Sequence, residues 1–99
     1  MSNININEQL LPSLQRALQG CNLSGLRQAS IEADFDGKLI QVRFECESAC
    51  DEQQMGLFSV VASEVVADFP APWNLEEEYS SASRLSPLKF VAYRRNDQR

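Results

Sequence analysis

The chain has 99 residues, 43% of them hydrophobic and 23% charged, which suits one domain with a modest core. Fourteen Asp and Glu stand against nine Lys and Arg, a formal net charge of −5. Phosphate binding needs Lys and Arg to displace counterions, so this balance speaks against a nucleic-acid partner and suits a basic protein, or solubility alone. No run of about 18 apolar residues predicts a membrane span. The opening MSNININEQ has neither the basic nor the apolar region of a signal peptide. Cysteines stand at 21, 46 and 50. An odd number at these spacings argues against a disulfide framework and for a reducing, cytoplasmic compartment.

In chain order, residues 1–6 predict a frayed polar lead, with the ordered core of one domain (residues 1–99) at about 8–95. Leu10, Leu11, Leu14, Ala17 and Leu18 form a helical stripe. Pro12 predicts a helix that starts near it or kinks there. Gly20 is a candidate C′ glycine. From Arg27 the period becomes two, with Ala29, Ile31, Ala33 and Phe35 on one side of a strand and Gln28, Ser30, Glu32 and Asp34 on the other. Asp36-Gly37 predicts a two-residue type I′ hairpin. The second strand places Ile40, Val42, Phe44 and Cys46 inward and Gln41, Arg43, Glu45 and Glu47 outward.

The longest apolar-periodic segment follows, Cys50 to Phe69. Met55, Phe58, Ala62, Val65 and Phe69 share a helix face. Ser48 and Asp51 suggest a capping-box-like start, and Pro70 ends the helix. A third strand has Trp73, Leu75, Glu77 and Tyr79 on one side and Asn74, Glu76, Glu78 and Ser80 on the other. Trp73 either anchors an interface or closes the core against the helix end. Ser80 to Pro87 reads as a loop too long for a tight hairpin. The last strand, about Leu88 to Arg94, would turn Leu88, Phe90 and Ala92 inward and Lys89, Val91, Tyr93 and Arg95 outward. The tail NDQR is polar and predicted disordered. The order α-β-β-α-β-β, with strands in two hairpin-like pairs, predicts an α+β fold. Its sheet is four-stranded and mostly antiparallel, with both helices packed on one face.

Catalytic chemistry is sparse. The chain has no histidine, which removes Ser-His and Cys-His pairs and imidazole bases. Cys46, Cys50 and Cys21 would need a carboxylate to complete a structural zinc site, and read more simply as small hydrophobes. Gly20-x4-Gly25 continues as Leu26-Arg27 and is no phosphate loop. No enzymatic activity, cofactor or metal is expected. What stands out is the outward side of the sheet, with Glu32, Asp34, Glu45, Glu47, Glu76 and Glu78 against Arg43 and Lys89. Tyr93 and Val91 would supply apolar anchors there. Such a face either docks a basic protein or is a solvated surface that happens to be acidic. The candidate partner-binding residues are Glu32, Asp34, Glu45, Glu76, Glu78 and Tyr93.

Certain residues resemble a known group of proteins: Leu11-Pro12-Ser13-Leu14 with Ala17-Leu18, then Leu26-Arg27, then Ser63 to Pro70, and last Tyr93-Arg94-Arg95. In that order the chain is similar to small bacterial immunity proteins encoded beside polymorphic toxins, of the contact-dependent growth inhibition type. The resemblance implies a stoichiometric inhibitor, a monomer in a 1:1 complex with a cognate toxin domain. Many such toxins are nucleases with basic clefts. A second expectation is an acidic chaperone for a secreted effector. A sizing column separates the two, because such chaperones are usually dimers.

Overall fold

The computed structural model describes residues 5–81 and 83–95. Of the predicted lead at residues 1–6, residues 1–4 lie outside the described residues, as does the predicted tail at 96–99; Asn5 and Ile6 are not frayed but cap and open α1. The elements are α1 (Ile6–Leu18), β1 (Leu26–Asp34), β2 (Leu39–Cys46), α2 (Glu52–Ala67), β3 (Asn74–Ser80) and β4 (Phe90–Arg94). The class is α+β, with two helices on a four-stranded, mostly antiparallel sheet.

Helix α1 starts earlier than its proline. Asn5 caps it, the side chain accepting from the Glu8 N–H, and the helix runs through Pro12. A proline inside a helix costs about 3 kcal/mol. Leu10 and Leu14, both fully buried, offset that cost on the same helix face. Gly20, at φ +81°, follows the C-cap Gln19, as the sequence predicts. Helix α2 is capped by Asp51, not Ser48. The Asp51 carboxylate accepts from Gln54 N and the Gln54 side chain accepts from Asp51 N. Phe58, Ala62, Val65 and Phe69 are buried, as predicted, together with Val61. Met55 lies outside that face and is exposed.

The sheet order is β3-β2-β1-β4. β1 pairs antiparallel with β2 and β4, whereas β2 and β3 run parallel. The last two strands are therefore not a hairpin; they form opposite edges. A parallel β2–β3 pair needs a long crossover, and α2 is that crossover. The core lies between helices and sheet. Ala29, Ile31, Ile40, Val42 and Phe44 are fully buried, and the Phe44 ring stacks on Phe58 at 4.9 Å.

Three local readings change. The β1–β2 turn spans four residues, because Asp34 pairs with Leu39. Asp34 Oδ1 accepts from Asp36 N and Gly37 N, and Lys38 takes the positive φ (53°) in place of Asp36 and Gly37. Second, Cys46 and Cys50 form a disulfide. β2 ends at Cys46 and α2 is capped at Asp51, so the turn between them brings the two Cα atoms to 6.3 Å, within bonding range. The expectation of no disulfide is corrected: the geometry lets Cys46 and Cys50 pair, and cysteine spacing alone no longer argues for a reducing compartment. Third, β4 carries a bulge. Ser30 faces Val91 while Ala29 faces Tyr93, so Ala92 is the extra residue and the in–out phase reverses after it.

Candidate functional site

Paired residues in a sheet share a face, so the register fixes what the outer, helix-free side carries. Glu32 pairs with Gln41, and Gln41 with Glu76; Ser30 pairs with Arg43, and Arg43 with Glu78; Gln28 pairs with Glu45. Glu32, Glu45, Glu76 and Glu78 are thus brought onto one face, as the alternation predicts, and Asp34 ends that row at the turn.

That face is not bare. Because β3 and β4 are opposite edges, residues 83–89 must cross the sheet on the way from one to the other. They do so as a strap over the outer side. Ser86 N donates to Glu45 Oε2, Leu88 N to Ser30 Oγ at 2.9 Å, and Lys89 N to Glu32 Oε1 at 3.1 Å. Arg43 donates to the Ser86 carbonyl and Arg27 to the Ser83 carbonyl. The carboxylates act as acceptors for a crossing backbone whose N–H groups have no strand partner.

Glu45 shows the consequence most clearly. Only 2% of it is exposed. Its other oxygen accepts from Gln28 Nε2 at 2.8 Å, and Gln28 Oε1 accepts from Arg94 Nε at 2.6 Å. A polar relay therefore runs from strap to β2, β1 and β4. Glu78 is engaged by Arg43 at 2.8 Å, and Glu76 by Gln41 Nε2 at 3.0 Å. Asp34 and Glu76 are exposed, Glu32 and Glu78 half-buried. The expectation that Glu45 stands free on an open acidic face is corrected: it is under the strap.

Tyr93 is corrected too. The bulge at Ala92 turns it to the helix side, opposite Ala29, where it packs on the core. It lines a groove of about 210 Å³ with Gln15, Leu18, Gln19, Leu23 and Ala92. No period-two reading could place it, because the extra residue breaks the period.

The acid excess sits on the helical layer instead. The helices and their caps carry Glu8, Asp51, Glu52, Glu64 and Asp68 against Arg16 alone, and Arg16 is paired with Asp68. Helix α2 is also apolar beyond its buried stripe, with Leu57 and Val60 exposed. The sequence shows this, since no Lys or Arg occurs from Glu52 to Ala67 and apolar residues lie all round the helix.

Little here could perform acid–base chemistry. Tyr79 Oη donates to Glu77 Oε1 at 2.6 Å and Ser59 Oγ donates to Glu77 Oε2 at 3.1 Å. Burial, reinforced by the bond and charge of Glu77, pushes the Tyr79 phenol above its ordinary range. The Ser59–Glu77 bond, with a second from Tyr79 Oη to the Met55 carbonyl at 3.3 Å, fastens β3 under α2. Burial, with Glu64 beside it, also raises the Cys21 thiol. Among the described residues, no group of His, Cys, Asp and Glu is arranged to hold a metal ion. No described helix is long and apolar enough to cross a membrane.

An acidic helical layer beside an apolar strip fits a binding surface. In a comparison with family models, residues 7–97 match the model described as MafI2 immunity protein. The chain belongs to the MafI2 immunity protein family. A search of curated proteins finds no match. The family supplies an immunity role against a toxin. The match runs from the first turn of α1 through β4.

Proposed function

We propose that the protein neutralises a nuclease-like toxin domain as a 1:1 inhibitor, without chemistry of its own. Its acidic surface faces the basic cleft that such a domain needs for nucleic acid. The observation that carries this is the acid excess of the helical layer, where five carboxylates meet one arginine that is already paired. Opposite charge speeds encounter, and apolar contacts then supply most of the affinity. Of the residues expected from the sequence, Asp34, Glu76, Glu32 and Glu78 add to steering from the sheet edge and outer face. Glu45 acts only through the strap, and Tyr93 belongs with the helical layer.

The test is a titration of the purified toxin domain of the same locus. Its nuclease activity is expected to reach zero at equimolar immunity protein. The association rate is expected to fall about tenfold or more as salt rises from about 0.05 to about 0.5 M. An association rate indifferent to salt would remove the electrostatic half of the proposal; residual activity at excess inhibitor would remove the occlusion half.

The same reading places the protein in the cytoplasm, where a reducing pool would hold Cys46 and Cys50 as thiols. Alkylation during lysis should then label Cys21, Cys46 and Cys50 together. Labelling of Cys21 alone would mean that the bond persists in the cell and that this compartment is wrong.

A further inference from the structure

The last turn of α1 is flanked by two apolar grooves. One, of about 200 Å³, lies against α2 and is lined by Ala17, Gly20, Cys21, Leu57, Val60 and Glu64 among others. The other is the groove of Tyr93 and Leu23 against β4, and Gln19 borders both. Val60 is 57% exposed and Leu57 42%, on a helix surface that no described residue covers. Exposed apolar side chains that adjoin a groove, with charge at the rim, mark an interaction surface.

Charge decides the occupant. Glu64 lines the groove, and α2 carries no Lys or Arg. In a two-fold dimer the same patch meets itself, which would bring Glu64 against a surface with no cation on α2 to receive it. A second copy is therefore disfavoured, and so is any acidic partner. A basic protein surface with apolar side chains between its cations fits both the groove and its rim.

We propose that this strip is the docking site for the cognate toxin domain: an apolar toxin side chain seats among Leu57, Val60 and Cys21, and a neighbouring Lys or Arg pairs with Glu64. The inference rests on the immunity reading and names the surface that carries it. It moves the contact from the strapped sheet face to the helical layer.

The experiment measures binding of the purified toxin domain of the same locus by calorimetry. The proteins compared are the wild type, Leu57→Asp, Val60→Asp, Glu64→Lys and, as a control in the exposed β1–β2 turn, Asp36→Asn. The substituted side chains are solvent-exposed, and circular dichroism checks that each variant folds. Either apolar-to-Asp change is expected to weaken binding about 30-fold or more. Glu64→Lys should weaken it about tenfold, and Asp36→Asn should leave it near wild type. A second readout needs no variant: the bound toxin domain should slow maleimide labelling of Cys21 in the wild type. Tight wild-type binding that is indifferent to Leu57, Val60 and Glu64, with Cys21 unprotected, overturns the surface and leaves the immunity reading standing. A wild type that fails to bind the toxin domain overturns both. A wild-type dimer that Val60→Asp dissociates would make a second copy the occupant and overturn the proposal as well.

Discussion

Phe58→Ala is expected to lower the unfolding free energy by about 3–5 kcal/mol. Phe58 is fully buried, and its ring lies nearly parallel to that of Phe44, centroids 4.9 Å apart and planes at 8°. Phe44 stacks in turn on Tyr79 at 5.5 Å. Three rings from α2, β2 and β3 thus form one column, and that column joins the crossover helix to the two parallel strands. Removing the first ring leaves a cavity that neither strand can close, because Val42 and Phe44 are fixed by pairing on both sides. A domain of this size has a total stability of about 5–15 kcal/mol, so the variant should be marginal or unfolded at 37 °C. Urea denaturation followed by circular dichroism measures it. A loss below about 1 kcal/mol would mean that the column does not hold α2 on the sheet.

The second large effect is expected from Glu45→Gln, a change that alters neither length nor shape. Glu45 accepts twice, from the Ser86 N–H on one oxygen and from Gln28 Nε2 on the other. A glutamine amide accepts on one side and donates on the other. Whichever way it is turned, one buried donor faces another. Gln28 cannot flip to help, because its oxygen already accepts from Arg94. One unmet buried donor costs about 1–3 kcal/mol. The loss should be local first. Hydrogen exchange at the Ser86, Leu88 and Lys89 amides should accelerate well before the amides of β1 and β2 respond. Uniform acceleration across the sheet would mean that the strap is not a separate unit.

Much of the fold could be read from periodicity. The helix stripes, the inward Ile40-Val42-Phe44 row and the outward Glu76 and Glu78 follow from spacing alone, because one buried face forces a regular repeat. The illegible parts are the places where something non-periodic decides. A single extra residue at Ala92 moves Tyr93 to the other face. Lys38 adopts the positive φ that Asp36-Gly37 advertises, because the Asp34 side chain caps a wider turn. The pairing of β2 with β3 depends on a crossover whose outcome no local pattern states. The covering of the outer face went unread for a related reason. Glu32 and Glu45 look like surface charges because alternation says only which side they are on, and nothing about what lies over them. Gln28 and Ser30 held a clue: polar residues opposite a long connection are the acceptors and relays a crossing backbone needs. The apolar outer side of α2 was visible in Leu57 and Val60, but a periodic stripe draws the eye to the buried side.

The strap also sets an order of assembly. β1 can zip to β2 as soon as the first turn closes, since their partners are close in sequence. β4 must return across some sixty positions to reach the same β1, as the Ser30–Val91 pair requires, and loops that long close late. During synthesis, then, the half of the sheet that holds Gln28, Ser30 and Glu45 stays wet until the final segment emerges. A chain that stops short of residue 86 would lack an edge strand and the lid over buried Glu45, and quality-control proteases would meet an open sheet.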